Sequence, residues 1–158
     1  MTSPRLIKGN DGGCFATALH AVRIWGGVLE HPADSAAWDW FQLCAPPRGG
    51  GWVRADWLGG WTCRVEQGYY GHAARKATWL YAFGIDPPVL KWGRAPGDFV
   101  KFEDGYSSSE ERATAKARAI KTGACQLLSK KQRLATPAEF RDLLIDMARS
   151  VQVSRQAA

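Results

Sequence analysis

A glutamate and a histidine end a short apolar segment near the start of the chain. Residues 27–32 read Gly-Val-Leu-Glu-His-Pro, apolar at first and polar at the end, and the proline stops the run. This pattern predicts a buried strand. Polar residues at the carboxyl end of a strand in an open α/β sheet commonly line a ligand crevice. We therefore predict that Glu30 accepts hydrogen bonds from a base. A strand-end glutamate paired with a nearby arginine is the alternative.

A second polar cluster lies between residues 65 and 78, where the sequence reads Val-Glu-Gln-Gly-Tyr-Tyr-Gly-His-Ala-Ala-Arg-Lys-Ala-Thr. Gln67 and His72 have side chains that can read base edges, and Arg75 and Lys76 can hold phosphates. This density of polar groups favours a binding site. The alternative is a connecting turn whose aromatic side chains cover the sheet edge and whose charges are solvated.

Positive charge is concentrated near the C-terminal end of the chain. The net charge is +6, and residues 112–133, the basic segment, contain no acidic residue. The fields of several like charges add, so the segment is predicted to bind a polyanion such as DNA. A solvated helix face is the alternative. The residues predicted to contact phosphates are Arg112, Lys116, Lys121, Lys130 and Lys131.

Several catalytic and metal-binding patterns are missing from the sequence. It contains no G-x-S-x-G serine elbow, no G-x-x-x-x-G-K-[ST] phosphate loop and no zinc deaminase signature. Three histidines, and four cysteines without a C-x-x-C pair, predict no metal site. We interpret the cysteines as buried small apolar residues. The eight tryptophans suit either a core or stacking on bases.

Hydrophobic periodicity predicts one α/β domain over residues 1–158. Its sheet and first helices are expected within residues 12–83, an irregular loop over 85–108, and C-terminal helices over 109–151. No apolar run approaches the length needed to cross a bilayer, and no leader pattern opens the chain. A cytoplasmic protein without a membrane partner is therefore expected.

Individual elements carry clear signals. Residues 61–66 alternate between apolar and polar, which predicts a half-exposed strand. Residues 77–83 are apolar on both faces, which predicts a strand in the middle of a sheet. The patterns Ser-Ser-Glu-Glu at 108–111 and Thr-Pro-Ala-Glu at 136–139 predict capping boxes at the starts of two helices.

Three segments of the chain carry a family resemblance. Residues 28–32, Val-Leu-Glu-His-Pro, resemble a strand that ends in Glu-Asn-Val. Residues 70–81 are similar to a tract that reads Tyr-Gly-Val-Pro-Gln-x-Arg-x-Arg before an apolar strand. Residues 135–137, Ala-Thr-Pro, resemble a closing Asn-Ala-Val-Pro and its helix. In this order, the segments resemble the later motifs of DNA (cytosine-5) methyltransferases, which transfer a methyl group from S-adenosylmethionine to cytosine.

The resemblance implies a partial Rossmann-like sheet flanked by helices, and it implies roles for two residues. Glu30 corresponds to the glutamate that holds the target cytosine. Ala74, Lys76 and Thr78 stand where the family has Gln, Arg and Arg, so Lys76 is the one basic residue kept. The sequence contains neither the Pro-Pro-Cys nucleophile motif nor the glycine-rich cofactor loop. S-adenosylmethionine binding is therefore expected only with a partner chain.

The chain is also similar to short uncharacterised proteins of phages and prophages, in which a Pro-Pro-Cys segment precedes the part seen here. Two hypotheses follow. In the first, the chain is the C-terminal half of a methyltransferase-like DNA-modification protein and needs a partner protein that supplies the N-terminal half. In the second, it is a non-catalytic phage protein that binds nucleic acid or blocks a host defence protein.

Overall fold

The computed structural model describes residues 11–96, 108–122 and 130–151. These residues form a mixed α/β structure, as predicted, and none of the helices in the described ranges is long and apolar enough to cross a membrane. The elements in chain order are α1 (Cys14–Trp25), β1 (Gly27–Pro32), α2 (Ala36–Trp40), β2 (Val53–Arg54), β3 (Trp61–Glu66), a 3-10 helix (Gln67–Tyr70), β4 (Ala77–Phe83), α3 (Ser109–Thr122), α4 (Lys130–Leu134) and α5 (Ala138–Arg149).

The four strands form one sheet in the order β1-β4-β3-β2, and all its pairings are antiparallel. β4 lies between β1 and β3, so that Tyr81 is opposite Leu29 on one side and Thr62 on the other. Residues 78–82 of β4 are all buried. The prediction of a central strand is confirmed, because β4 has neighbours on both sides and helices on both faces.

Aromatic residues fill the layer between the sheet and the helices α1 and α2. Phe15 of α1 and Trp38 of α2 pack against Trp79 and Tyr81 of β4. The ring centroids of Phe15 and Trp38 are 5.5 Å apart, and those of Trp38 and Trp79 are 5.4 Å apart. Tilted and edge-on contacts of this kind stabilise an aromatic cluster beyond its buried area.

The other face of the sheet is covered by α5. Phe140 and Met147 of this helix are buried against Val65 of β3 and Leu80 of β4. Because successive strand residues point to opposite faces, even-numbered residues of β4 and β1 face α5. Glu30 therefore lies on the α5 side of the sheet.

Two strand predictions are corrected. β3 is not half exposed, since Thr62 and Glu66 are as buried as its apolar residues. The cause is cover over the polar face of the strand: Trp38 donates to the Thr62 hydroxyl (3.3 Å), and the main-chain nitrogen of Ala95 donates to the Glu66 carboxylate (2.8 Å). β1 is half buried, because it lies at a sheet edge and no strand of the described residues pairs with its outer side.

The helix starts were predicted with mixed success. The main-chain nitrogen of Glu111 donates to the Ser108 hydroxyl (3.1 Å), as the first capping box predicts. The second box is wrong: Pro137 is the N-cap residue of α5, and no side chain caps it. Residues 84–96 contain neither helix nor strand, and the rest of the expected loop, up to residue 107, lies outside the described residues.

Candidate functional site

The three segments that carry the family resemblance meet at one end of the sheet. β1 pairs with β4, which places Glu30 opposite Leu80. The Lys76 ammonium, just before β4, donates to the main-chain oxygens of Leu134 (3.3 Å) and Ala135 (2.8 Å). Segments that are distant in the sequence thus share one site. We refer to its polar residues as the polar end of the sheet: Glu30, Gln67, His72, Lys76 and Thr78.

A fully buried amide links Glu30 to β4. Gln67, the first residue of the 3-10 helix, is 0% exposed. Its Nε2 donates to Glu30 Oε1 (3.3 Å) and to Thr78 Oγ1 (2.9 Å). The Thr78 hydroxyl donates to the main-chain oxygen of Lys76 (3.3 Å). Among the described residues Glu30 forms no ion pair with an arginine, so its partner is an amide and the alternative pairing is not found.

Lys76 has a strained backbone and a half-buried side chain. Its φ angle of 43° lies in the left-handed region that residues other than glycine rarely adopt. Such strain persists where the surroundings hold it, and it is concentrated at functional sites. Burial lowers the pKa of Lys76, and the charge of Glu30 offsets only part of that effect. The ammonium covers the carbonyl end of α4, where positive charge is favourable.

His72 and Gln67 each leave a buried atom unpaired. His72 Nδ1 lies 2.9 Å from the main-chain nitrogen and 2.8 Å from the main-chain oxygen of Ala74. In the described part of the chain, neither His72 Nε2 nor Gln67 Oε1 has a hydrogen-bond partner. Most buried polar atoms are paired, so each exception needs a reason. A polar ligand bound at this end is one reason for the unpaired His72 nitrogen, whereas Gln67 is 0% exposed and its oxygen is closed to a ligand.

Two neighbouring residues are placed elsewhere. His31 follows Glu30 in the sequence, but its ring lies on the opposite face of the sheet, with its centroid 5.0 Å from that of Phe15. Alternation along the strand separates the two side chains. Arg75 Nε donates to the main-chain oxygen of Ala95 (3.3 Å). That contact ties Arg75 to the segment that follows β4, and its contact with phosphate stays a prediction.

Only part of the basic segment can be placed. Lys116 and Lys121 of α3 and Lys131 of α4 are exposed. The side chains of Arg112 and Lys130 lie outside the described residues. Exposure agrees equally with phosphate contacts and with a solvated helix face, so DNA binding by this segment stays a prediction.

The cysteines of the described residues differ in burial. Burial raises the pKa of the Cys63 thiol, which keeps it protonated and unreactive. Cys14 and Cys44 are exposed, so their interpretation as buried residues is wrong, and Cys125 lies outside the described residues. Within the ranges that can be described, no group of three or more His, Cys, Asp or Glu residues is placed to hold a metal ion.

A second polar network, at the opposite end of the sheet, was missed in the sequence. Asp56 Oδ2 accepts from Arg23 Nη2 (2.8 Å) and from the Tyr81 hydroxyl (2.9 Å), and Oδ1 accepts from the main-chain nitrogen of Gly60 (2.9 Å). Burial opposes ionisation of Asp56, yet the hydrogen bonds outweigh it and keep the pKa of Asp56 below its usual value. Burial raises the pKa of Tyr81 to about 12. We call these four residues the Asp56 network.

Exposed tryptophans lie beside the Asp56 network. Trp57, next to Asp56, is 91% exposed, and Trp25, two residues after Arg23, is 79% exposed. Trp38 and Trp79, by contrast, are buried in the core. The tryptophans therefore divide between core packing and surface positions.

Comparison with protein-family models, with curated proteins and with solved structures finds no match to this chain. Its function is therefore inferred from the geometry of the polar end together with the sequence resemblance.

Proposed function

We propose that this chain is the target-recognition half of a phage-type DNA-modification protein, similar to S-adenosylmethionine-dependent DNA cytosine methyltransferases, and that it is inactive without a partner chain. The observation that carries the proposal is the convergence of the three resembling segments at the polar end. Glu30, Lys76 and Ala135 belong to different segments. The charge of Glu30 nevertheless raises the pKa of Lys76, and the Lys76 ammonium donates to the main-chain oxygen of Ala135.

The chemistry of the polar end suits cytosine. Glu30 Oε1 accepts from Gln67, which leaves Oε2 for a ligand. Cytosine presents an amino donor at N4, whereas thymine presents an oxygen acceptor at the same place. A carboxylate oxygen that accepts hydrogen bonds therefore favours cytosine over thymine. Lys76, with a positive charge beside the carboxylate, would contact the base or its phosphate, as its position in the resemblance implies.

We further propose that the described sheet is the antiparallel end of a larger Rossmann-like sheet. One side of β1 has no neighbour among the described strands, and α1 leads directly into β1. A helix in that position is typical of the crossover between two parallel strands. A partner chain that adds parallel strands there would bring the glycine-rich loop for S-adenosylmethionine and the Pro-Pro-Cys nucleophile.

Fluorescence anisotropy with short duplex DNA tests the nucleic-acid part of the proposal. Lys116→Ala with Lys121→Ala removes two predicted phosphate contacts, so the slope of log affinity against log salt should fall by about 2. Glu30→Gln should leave the slope unchanged and alter only base preference, because base contacts carry the sequence information. Undetectable binding at about 50 mM salt, or an unchanged slope in the double variant, would refute the role of the basic segment.

Calorimetry tests the need for a partner. The chain alone should give no heat with S-adenosylmethionine, and heat should appear when a protein bearing a glycine-rich loop and a Pro-Pro-Cys strand is added. Binding of S-adenosylmethionine by the chain alone would contradict the proposed division of labour.

A second function is favoured by the exposed apolar residues near the Asp56 network. Ile24 and Trp25 at the end of α1, and Trp57 and Leu58 before β3, are all exposed. Exposed tryptophans with neighbouring aliphatic residues are typical of protein interfaces. A non-catalytic protein that blocks a host defence protein would use this surface. Loss of a captured protein partner in Trp57→Ala, with DNA binding unchanged, would support this second function.

A further inference from the structure

We propose that Gln67 is a positioning residue that fixes the carboxylate of Glu30 in the orientation needed to select cytosine. The inference rests on the proposed function for the identity of the ligand. Its structural part, that Gln67 determines the conformation of Glu30, can be tested without any ligand. Gln67 itself is 0% exposed, so it acts through Glu30 rather than by touching a base.

The hydrogen bonds around Gln67 fix the orientation of its amide. The Thr78 hydroxyl donates its hydrogen to the main-chain oxygen of Lys76 (3.3 Å), so Thr78 Oγ1 is an acceptor toward Gln67. The opposite amide orientation would set Gln67 Oε1 against the carboxylate of Glu30, two acceptors facing each other. Both hydrogens of Nε2 are thus committed, one to Thr78 and one to Glu30.

The unpaired oxygen of the same amide argues against a merely structural role. Gln67 Oε1 is buried without a partner in the described part of the chain. A leucine at this position would fill similar space with no unpaired polar atom, so packing alone does not explain a glutamine here. What glutamine supplies and leucine does not is a donor aimed at Glu30.

Thr78 anchors this arrangement to the central strand. It is fully buried in β4 and pairs across the sheet with Val65 of β3 and Pro32 of β1. The central strand therefore fixes the position of the Thr78 hydroxyl. This hydroxyl orients the Gln67 amide by a hydrogen bond, and the amide in turn orients the Glu30 carboxylate. Binding sites that select between similar ligands need this kind of supporting contact, because a side chain free to rotate accepts both.

The test measures cytosine preference with two labelled single-stranded oligodeoxynucleotides that differ only in one dC replaced by dT. The parent protein should prefer the dC strand, and Glu30→Gln should abolish the preference. Gln67→Leu should reduce it by about tenfold, the size of one good base contact. Thr78→Val should reduce the cytosine preference by a smaller factor. Thr78→Ser, which keeps the hydroxyl, should show the same preference as the parent.

Val65→Ala is the matched control. Val65 is as buried as Gln67 and pairs with Thr78, and its side chain belongs to the apolar core. This variant should lower the melting temperature and leave cytosine preference unchanged. A parallel loss of preference in Val65→Ala and Gln67→Leu would show that general loosening, and not positioning, explains the effect.

A second readout needs no nucleic acid. Three-bond NMR couplings of the Glu30 side chain should report one χ1 rotamer in the parent, averaging in Gln67→Leu, and a single rotamer again in Thr78→Ser. If Glu30 keeps a single χ1 rotamer in Gln67→Leu and the variant keeps the full cytosine preference, the positioning role of Gln67 is refuted. The proposed base pocket is not affected by that result. If the parent shows no base preference, the proposed function fails, and the couplings alone decide whether Gln67 orients Glu30.

Discussion

Each end of the sheet contains a polar network of similar size, but the two networks differ in how fully their polar atoms are hydrogen-bonded. In the Asp56 network, both carboxylate oxygens are hydrogen-bonded, to Arg23, Tyr81 and the main chain of Gly60. At the polar end, Gln67 Oε1 and His72 Nε2 are buried without partners in the described residues. A complete network stabilises the fold. An incomplete one contains buried polar atoms that lower stability, so packing alone does not explain its residues.

Backbone geometry separates the two ends in the same way. The turn that holds Asp56 is closed by a hydrogen bond from the main-chain nitrogen of Ala55 to the oxygen of Gly60 (2.8 Å) and uses a glycine, Gly59, at positive φ. At the polar end, Gly71 also has a positive φ, but a second positive φ falls on Lys76, a residue with a side chain. Glycine adopts a positive φ at little cost, so Gly59 adds little strain beside the Asp56 network, whereas Lys76 keeps a strained backbone at the polar end.

Removal of Asp56 should have the largest effect. In Asp56→Ala, Arg23 loses its ion pair and the Tyr81 hydroxyl loses its acceptor, which should cost about 3 kcal/mol of unfolding free energy. For a chain of this length the melting temperature should fall by roughly 6 to 12 °C. Asp39→Ala, which removes an exposed carboxylate of α2, is the control and should change stability by less than about 0.5 kcal/mol. Equal melting temperatures for the two variants would show that the Asp56 network does not stabilise the fold.

The pH dependence of stability should report the same network. The folded pKa of Asp56 is below 3.8, so its contribution is complete above that pH and is lost as the pH falls through the folded value. The pKa of Tyr81 is raised from 10.0 to about 12, so its contribution is complete below pH 10 and is lost as the pH rises through about 12. Denaturant titrations across pH should show a smaller alkaline loss in Tyr81→Phe than in the parent. Part of the loss should remain in the variant, because burial also raises the pKa values of Tyr70 and Cys63.

Gln67→Leu should have a smaller effect on stability than Asp56→Ala, although Gln67 is the more deeply buried. The substitution removes two hydrogen bonds and also an unpaired oxygen, so the net change should stay within about 1 kcal/mol in either direction. Chemical denaturation measures it directly. A loss of unfolding free energy as large as that in Asp56→Ala would mean that the two networks contribute equally to stability.

The smallest expected change is electrostatic. The carboxylate of Glu30 raises the pKa of Lys76, against the larger lowering caused by burial. Glu30→Gln removes this negative charge, so the pKa of Lys76 should fall further below its ordinary value. Titration of the Lys76 ammonium by NMR checks the direction of this shift. A pKa that is unchanged or higher would mean that the two side chains do not interact.

Local patterns were enough to find most elements and part of the site. Residues 77–83 are apolar on both faces, and β4 is central for that reason. Glu30 and the cluster around Gln67 were found because polar residues stand at the end of apolar runs. Asp56 was missed because its partners, Arg23 and Tyr81, are distant in the sequence and no local pattern joins them.

Sequence reasoning also failed where tertiary cover decides the outcome. β3 alternates as a half-exposed strand does, but Trp38 and Ala95 come from other parts of the chain to cover its polar residues. The burial of Gln67 was likewise hidden, since the sequence around it is polar and interrupted by two glycines. These residues are buried by neighbours that strand periodicity does not reveal.

The position of β1 at the sheet edge has a consequence for the order of folding. β3 and β4 are joined by a short connection, whereas Gly27 and Pro32 of β1 pair with Phe83 and Thr78, far along the chain. Closing a long loop delays pairing, because chain entropy is lost before contacts form. We expect the β3-β4 hairpin to form first and β1 to join it later. Glu30 then reaches Gln67 and Thr78 only in a late kinetic step, when both are already in place.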